Sequence, residues 1–177
     1  GDPSQFGNGF WYGHAYSDNS FGSYIGYFQT GADLNFKTTD YYAANQAPDN
    51  YGGFVGCGDV PNDNHSVSFK RTNFPCGKYR INIPYYDDRV YVYIDGVQVV
   101  TSSACCLNLN SAWEGFLGPN SEVEVRYVDF GGNGSLEFEL VKIGDFEDTF
   151  TLTSNPVICG GSSTTLSVTS TVIAGMS

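Results

Sequence analysis

Two aspartates stand side by side in the run Tyr85-Tyr86-Asp87-Asp88-Arg89. Their carboxylates are hard oxygen donors, the chemistry that suits Ca²⁺, which takes about six to eight oxygen ligands. Consecutive side chains on a strand point to opposite faces. On a regular strand Asp87 and Asp88 therefore cannot normally share one ion, whereas a cis peptide between them would bring both carboxylates to one side; the alternative is a pair of solvated side chains at the start of a strand. Other chemistries find less support. His14 and His65 are isolated in the sequence, and packed or surface histidine is the ordinary role for each. The run Gly131-Gly132-Asn133-Gly134 is no phosphate cradle, because no helix follows whose N-terminus could hold the anion. Glycosidase chemistry needs two carboxylates about 5–9.5 Å apart across a cleft, and no pair stands out. With no nucleophile elbow and no metal-binding His-Glu helix, catalysis is not expected.

The cysteines are Cys57, Cys76, Cys105, Cys106 and Cys159. None has the Cys-x-x-Cys spacing of a zinc site, and no histidine lies near to complete one. Cys57 and Cys76 flank a strand-like segment whose ends they can bridge. Cys105 and Cys106 are adjacent and can form a vicinal disulfide. Two buried thiols, or bonds elsewhere, are the alternatives, since four cysteines allow three pairings. The expected pairs are Cys57–Cys76 and Cys105–Cys106, with the partner of Cys159 outside these residues. Disulfides point to an oxidising, extracellular setting.

The elements that must position these residues are strands. In 177 residues, Phe, Tyr and Trp make up 16% and Gly numbers 22, a sheet-and-turn composition. Period-two alternation recurs, and no window shows helical periodicity with caps. Val67 and Phe69 share a face; so do Tyr79, Ile81 and Ile83, then Val90, Val92 and Ile94. Asp95-Gly96 reads as a tight hairpin turn, with residues 97–100 returning. Val123, Val125 and Tyr127 alternate with Glu122, Glu124 and Arg126, and Leu136, Phe138 and Leu140 with Glu137 and Glu139. One dry and one wet face per sheet is the pattern of antiparallel sandwiches. Residues 11–16 and 23–36 read as less regular strands, and 39–51 as a polar loop. After residue 143 the composition turns Ser/Thr-rich, with possible strands at 149–153 and 164–168. About thirty residues cannot bury a core alone.

The segment from Tyr85 to Val97, with its Asp pair, strand and Tyr93-Ile94-Asp95-Gly96 turn, resembles the PA14 family. Trp113, a turn at 115–118, the strand at 123–127, a glycine-bearing loop and the strand at 136–143 follow in the family's order. The resemblance covers roughly residues 5–143. It implies an all-β fold, an antiparallel β-sandwich over residues 1–143. Residues 144–153 would be a linker and first strand. Residues 154–177 would open an Ig-like domain or form a donated-strand tail. In the adhesin branch of the family, the paired Asp chelate Ca²⁺, which binds sugar hydroxyls. A second loop there supplies a side-chain oxygen and two carbonyls. Aligned on this chain, that loop is Asp129-Phe130-Gly131-Gly132-Asn133, which makes Asp87, Asp88, Asp129, Gly131 and Asn133 the implied metal ligands. Asp129 stands where the sugar-binding flocculins have Asn. A vicinal Cys105–Cys106 ring, Trp113 and Phe130 are candidate surfaces for a sugar ring; a loop staple away from any ligand is the alternative for the cysteines.

A net charge of −11, from 8 Lys+Arg against 19 Asp+Glu, excludes nucleic-acid backbones and anionic membrane surfaces as partners. No apolar run approaches the ~20 residues of a membrane helix. The expected function is an extracellular, secreted Ca²⁺-dependent carbohydrate-binding module of a cell-surface adhesin. Its partners would be glycans on a cell or matrix surface, with self-association or continuation into Ig-like domains. The alternative is a structural subunit of a surface filament that exchanges its C-terminal strand, with Ca²⁺ only structural. A sequon at Asn133 would put a glycan over the metal loop.

Overall fold

The computed structural model describes residues 1–145. The strands expected at 149–153 and 164–168, the Ig-like opening, the donated-strand tail and Cys159 lie outside the described residues. Twelve strands form: β1 (Gly7–Asn8), β2 (Tyr12–Tyr16), β3 (Tyr24–Gln29), β4 (Phe36–Lys37), β5 (Val55–Gly56), β6 (His65–Thr72), β7 (Gly77–Asp87), β8 (Arg89–Ile94), β9 (Val97–Ser102), β10 (Leu107–Leu117), β11 (Val123–Asp129) and β12 (Ser135–Gly144). One sheet runs β5-β3-β2-β6-β11-β8-β9, with β1 parallel to β6 at its side; the other runs β10-β7-β12-β4. All other pairings are antiparallel. The described residues form an antiparallel β-sandwich.

Alternation explains the layers. Tyr79, Ile81 and Ile83 of β7, Val90 and Val92 of β8, Val123 and Val125 of β11, and Leu136 of β12 are fully buried. Their neighbours in sequence face outward, so each sheet turns one apolar face to the other. Trp11 sits among Phe36, Phe74 and Phe138 at centroid distances of 5.3, 6.2 and 5.4 Å, all edge-on. Its indole Nε1 donates to the Leu34 carbonyl at 3.1 Å. The β8–β9 turn has φ of 49° at Asp95 and 78° at Gly96, the positive values a two-residue hairpin requires.

The sequence expectation fails on β10. Residues 107–117 form one strand paired with β7, so the turn expected at 115–118 lies further on. Ser111 takes a φ of 51°, and the register shifts between Leu109 and Trp113. A bulge of this kind breaks period two and hides the strand. The polar loop at 39–51 contains two short 3-10 turns, Thr38–Asp40 and Pro48–Asn50.

Cys57 and Cys76 do not pair: Cys57 is a free, exposed thiol, and Cys76 is disulfide-bonded elsewhere. They stand beyond opposite ends of β6, whose eight residues extend about 26 Å, far more than a disulfide spans. The strand that made the bridge attractive holds its ends apart.

A loop after β2 carries the first expected pH effect. Asp18 accepts from Ser20 N at 2.8 Å, Ser20 Oγ at 2.9 Å, Gly22 N at 3.0 Å and Ser23 N at 2.5 Å. Desolvation pushes its pKa up, but these hydrogen bonds outweigh it and hold the carboxyl far below the usual range. A group depressed on folding adds stability above its unfolded value of 3.8 and loses it as pH falls below that. In urea unfolding, Asp18→Asn will therefore lower the midpoint at pH 7, and the gap from wild type will narrow as pH drops below 3.8. An equal gap at both pH values contradicts this account.

Candidate functional site

Three times the chain leaves one sheet for the other at the same end of the sandwich. It crosses from β7 to β8 through Asp87 and Asp88, from β9 to β10 through Cys105 and Cys106, and from β11 to β12 through residues 130–134. Register fixes their company. Ser135 lies opposite Asp87 in one sheet, and Val128 lies opposite Arg89 in the other. Asp88 N donates to the Val128 carbonyl at 3.1 Å, and Cys106 N to the Tyr86 carbonyl at 3.0 Å.

The Asp87–Asp88 peptide is cis. Asp88 Oδ2 accepts from Phe130 N at 2.6 Å, which ties the Asp pair to the 130–134 loop. The Tyr127 hydroxyl donates to the Asp87 carbonyl at 2.8 Å, and the Tyr85 hydroxyl lies 3.4 Å from Asp87 Oδ2. Cys105 and Cys106 are joined through their sulfurs, and Cys105 Sγ touches Asp87 Oδ1 at 2.8 Å. A disulfide sulfur carries no proton, so this is a close contact rather than a hydrogen bond. Asp87, Cys105 and Cys106 bring their ligand-type atoms within 4.8 Å of one another, but bonded sulfurs lack the thiolate that binds metal.

Asp129 ends β11 beside this crossing. It is 1% exposed; its Oδ1 accepts from Gly131 N at 2.8 Å, and its Oδ2 lies 3.3 Å from His65 Nδ1. Burial pushes Asp129 up to about 6; the Gly131 N–H opposes the rise, and the charges of Asp88, Asp63 and Asp87 add to it. Burial pushes His65 down to about 4, so the pair is not a strong ion pair. Asp87 is raised by burial and then by the charge of Asp88.

Two residues escaped the sequence reading. Asp63 Oδ1 accepts from Gly132 N at 3.0 Å, pinning a loop whose Gly131 and Gly132 take φ of 140° and 89°, values that favour glycine. His65 lies directly across from Asp129 in the β6–β11 register. Strand pairing alone could have revealed His65, and only the folded loop could have revealed Asp63. Trp113, in contrast, does not join the site. It lies opposite Ile81, six residues before Asp87 and so about 20 Å along the strand. Phe130 is at the rim, 37% exposed.

Hard oxygen donors gather at this end, though among the described residues no three carboxylates bring an oxygen each within 4.8 Å of one another. Asp87, Asp88, Asp129 and Asp63 crowd negative charge at one end, and their mutual repulsion is what a Ca²⁺ ion would relieve. Asp87 and Asp88 carry the carboxylates tied to the 130–134 loop, while both Asp129 oxygens already meet protein groups, Gly131 N and His65 Nδ1.

Similar architecture occurs in solved structures. The PA14 sugar-binding domain from an RTX adhesin superposes with a TM-score of 0.57 at 15% identity, over 75% of this chain and 89% of that one. The PA14 domain of the MpAFP antifreeze protein gives 0.55 at 14% identity, over 84% and 88%. The fold is PA14-like. The same sandwich also resembles part of an anti-sigma factor domain-containing protein, with a TM-score of 0.53 at 16% identity over 75% of this chain and 43% of that one. No protein-family model and no curated protein matches the sequence. The PA14-like sandwich therefore rests on shape rather than on shared residues. Among the described residues, no helix is long and apolar enough to cross a membrane.

Proposed function

We propose that this chain is an extracellular carbohydrate-binding module of a cell-surface adhesin, and that it binds glycans through Ca²⁺. The observation that carries the reading is the tie between two sheet crossings. Asp88, beside Asp87 across a cis peptide, accepts from Phe130 of the Asp129-bearing loop. Asp87, Asp88, Asp129, Gly131 and Asn133 would hold the ion. A Ca²⁺ ion held by them would supply Lewis-acid contacts for sugar hydroxyls. The chain's own residues do the rest. Phe130 N fixes the Asp88 carboxylate, Asp63 fixes the loop through Gly132 N, and Tyr127 anchors the Asp87 carbonyl. The Cys105–Cys106 disulfide beside Asp87 gives a sugar ring a compact apolar surface, as does Phe130.

Two further observations support the reading. The RTX adhesin domain of similar fold is a sugar-binding one. A disulfide at Cys105–Cys106 and a bonded Cys76 suit the oxidising conditions outside the cell. The test is a glycan-array titration of the whole chain in Ca²⁺ and again in chelator. Binding that appears with Ca²⁺ and disappears with chelator is expected. Binding that ignores the chelator overturns the metal role, and no binding in either condition overturns the module's function.

A further inference from the structure

We infer that Arg89 is the anion-recognising arm of the proposed glycan site and selects sugars that carry a carboxylate, such as uronic or sialic acids. The inference rests on the function proposed above and deepens it.

The chain has 8 Lys and Arg residues for 19 Asp and Glu, so no cation lacks acidic partners to choose from. Lys37 pairs with Glu137, Lys70 with Glu124, Lys78 and Arg80 with Glu114, Arg126 with Glu124, and Lys142 with Asp145. Arg71 is buried and donates to the carbonyls of Ala32 and Asp33. Among the described residues, Arg89 alone has neither a carboxylate nor a carbonyl. Its guanidinium instead lies over the Phe130 ring, 4.6 Å from the centroid.

That placement couples it to the site. Phe130 gives its backbone N–H to Asp88 and its ring to Arg89, so one residue positions both the proposed metal ligand and the cation. A cation over an aromatic face is held without a hydrogen bond, so the guanidinium N–H donors have no carboxylate or carbonyl acceptor of their own. Those donors form a rigid fork that matches a carboxylate bidentately. A uronic acid carries its carboxylate on the same small ring as its hydroxyls. Arg89 follows Asp88 directly, and Phe130 touches both, so the guanidinium and the proposed ion site share one loop. With the rest of the molecule strongly negative, a pre-positioned guanidinium is what admits an anionic ligand at all.

The experiment uses the whole chain saturated with Ca²⁺. The probes are methyl glycosides of glucuronic and galacturonic acid and N-acetylneuraminic acid, against methyl glucoside and methyl galactoside. Isothermal titration is expected to show wild type favouring an acidic sugar by about tenfold, the scale of one charged hydrogen-bonded contact. Arg89→Gln should erase that preference, with Ca²⁺ affinity measured separately to show that the metal ligands remain in place. If wild type binds none of the sugars, the glycan reading fails and this inference falls with it. If acidic and neutral sugars bind alike, or Arg89→Gln keeps the preference, the reading stands and the inference alone is overturned. A peptide with a free C-terminal carboxylate that outcompetes every acidic sugar also overturns it.

Discussion

Asp88→Ala is expected to lower Ca²⁺ affinity by more than about 100-fold, and to remove glycan binding with it. Altering even the outer partners of metal ligands costs about 10–100-fold in affinity, and Asp88 is placed to act directly. The substitution deletes one carboxylate of the pair and frees Phe130 N, its 2.6 Å partner, so it loosens the 130–134 loop as well. Asp88→Asn separates the two effects. The amide oxygen still accepts from Phe130 N, while the charge is gone. If the charge is what matters, Asp88→Asn falls nearly as far as Asp88→Ala; if loop order is what matters, it stays close to wild type. Calorimetric titration with Ca²⁺ distinguishes them, and unchanged affinity in both variants contradicts the site.

Trp11→Ala carries the second large effect, on stability. The indole is fully buried between Phe36, Phe74 and Phe138, and the Arg71 guanidinium lies 5.9 Å above its ring. Truncating a buried Trp or Phe costs about 3–5 kcal/mol, because transfer energy is lost and a cavity remains. The Leu34 carbonyl also loses its donor. Against a typical domain stability of about 5–15 kcal/mol, that is a large fraction of the total. Urea unfolding should show the midpoint drop with little change in slope. A loss under about 1 kcal/mol would mean that the two sheets do not depend on this aromatic cluster.

The sequence made some parts of this protein readable and hid others, for identifiable physical reasons. β7, β8, β11 and β12 were legible because each turns one dry and one wet face, so Tyr79 to Ile83 and Val123 to Tyr127 announce their direction. β10 was hidden by Ser111, where a positive φ and a register shift put Trp113 out of step with Leu107 and Leu109. Trp113 then fell far from the rim where a sugar-stacking residue would be needed. Cys57 and Cys76 looked like a pair because they flank β6, and a straight strand is the reason they cannot meet. The Asp87–Asp88 pair stood out as text. Asp63 and His65 did not, because the first meets the loop through Gly132, 69 residues away, and the second faces Asp129 only through strand pairing.

The central claim is that Asp87, Asp88 and the loop from Asp129 to Asn133 converge on one Ca²⁺ ion. Anomalous diffraction from crystals of the chain grown in Ca²⁺ tests it most directly. The account predicts a calcium peak about 2.3–2.6 Å from carboxylate oxygens of Asp87 and Asp88, with oxygens of the 129–133 loop completing the shell. Crystals grown at saturating Ca²⁺ that show no peak there, or a peak bound only elsewhere, contradict it.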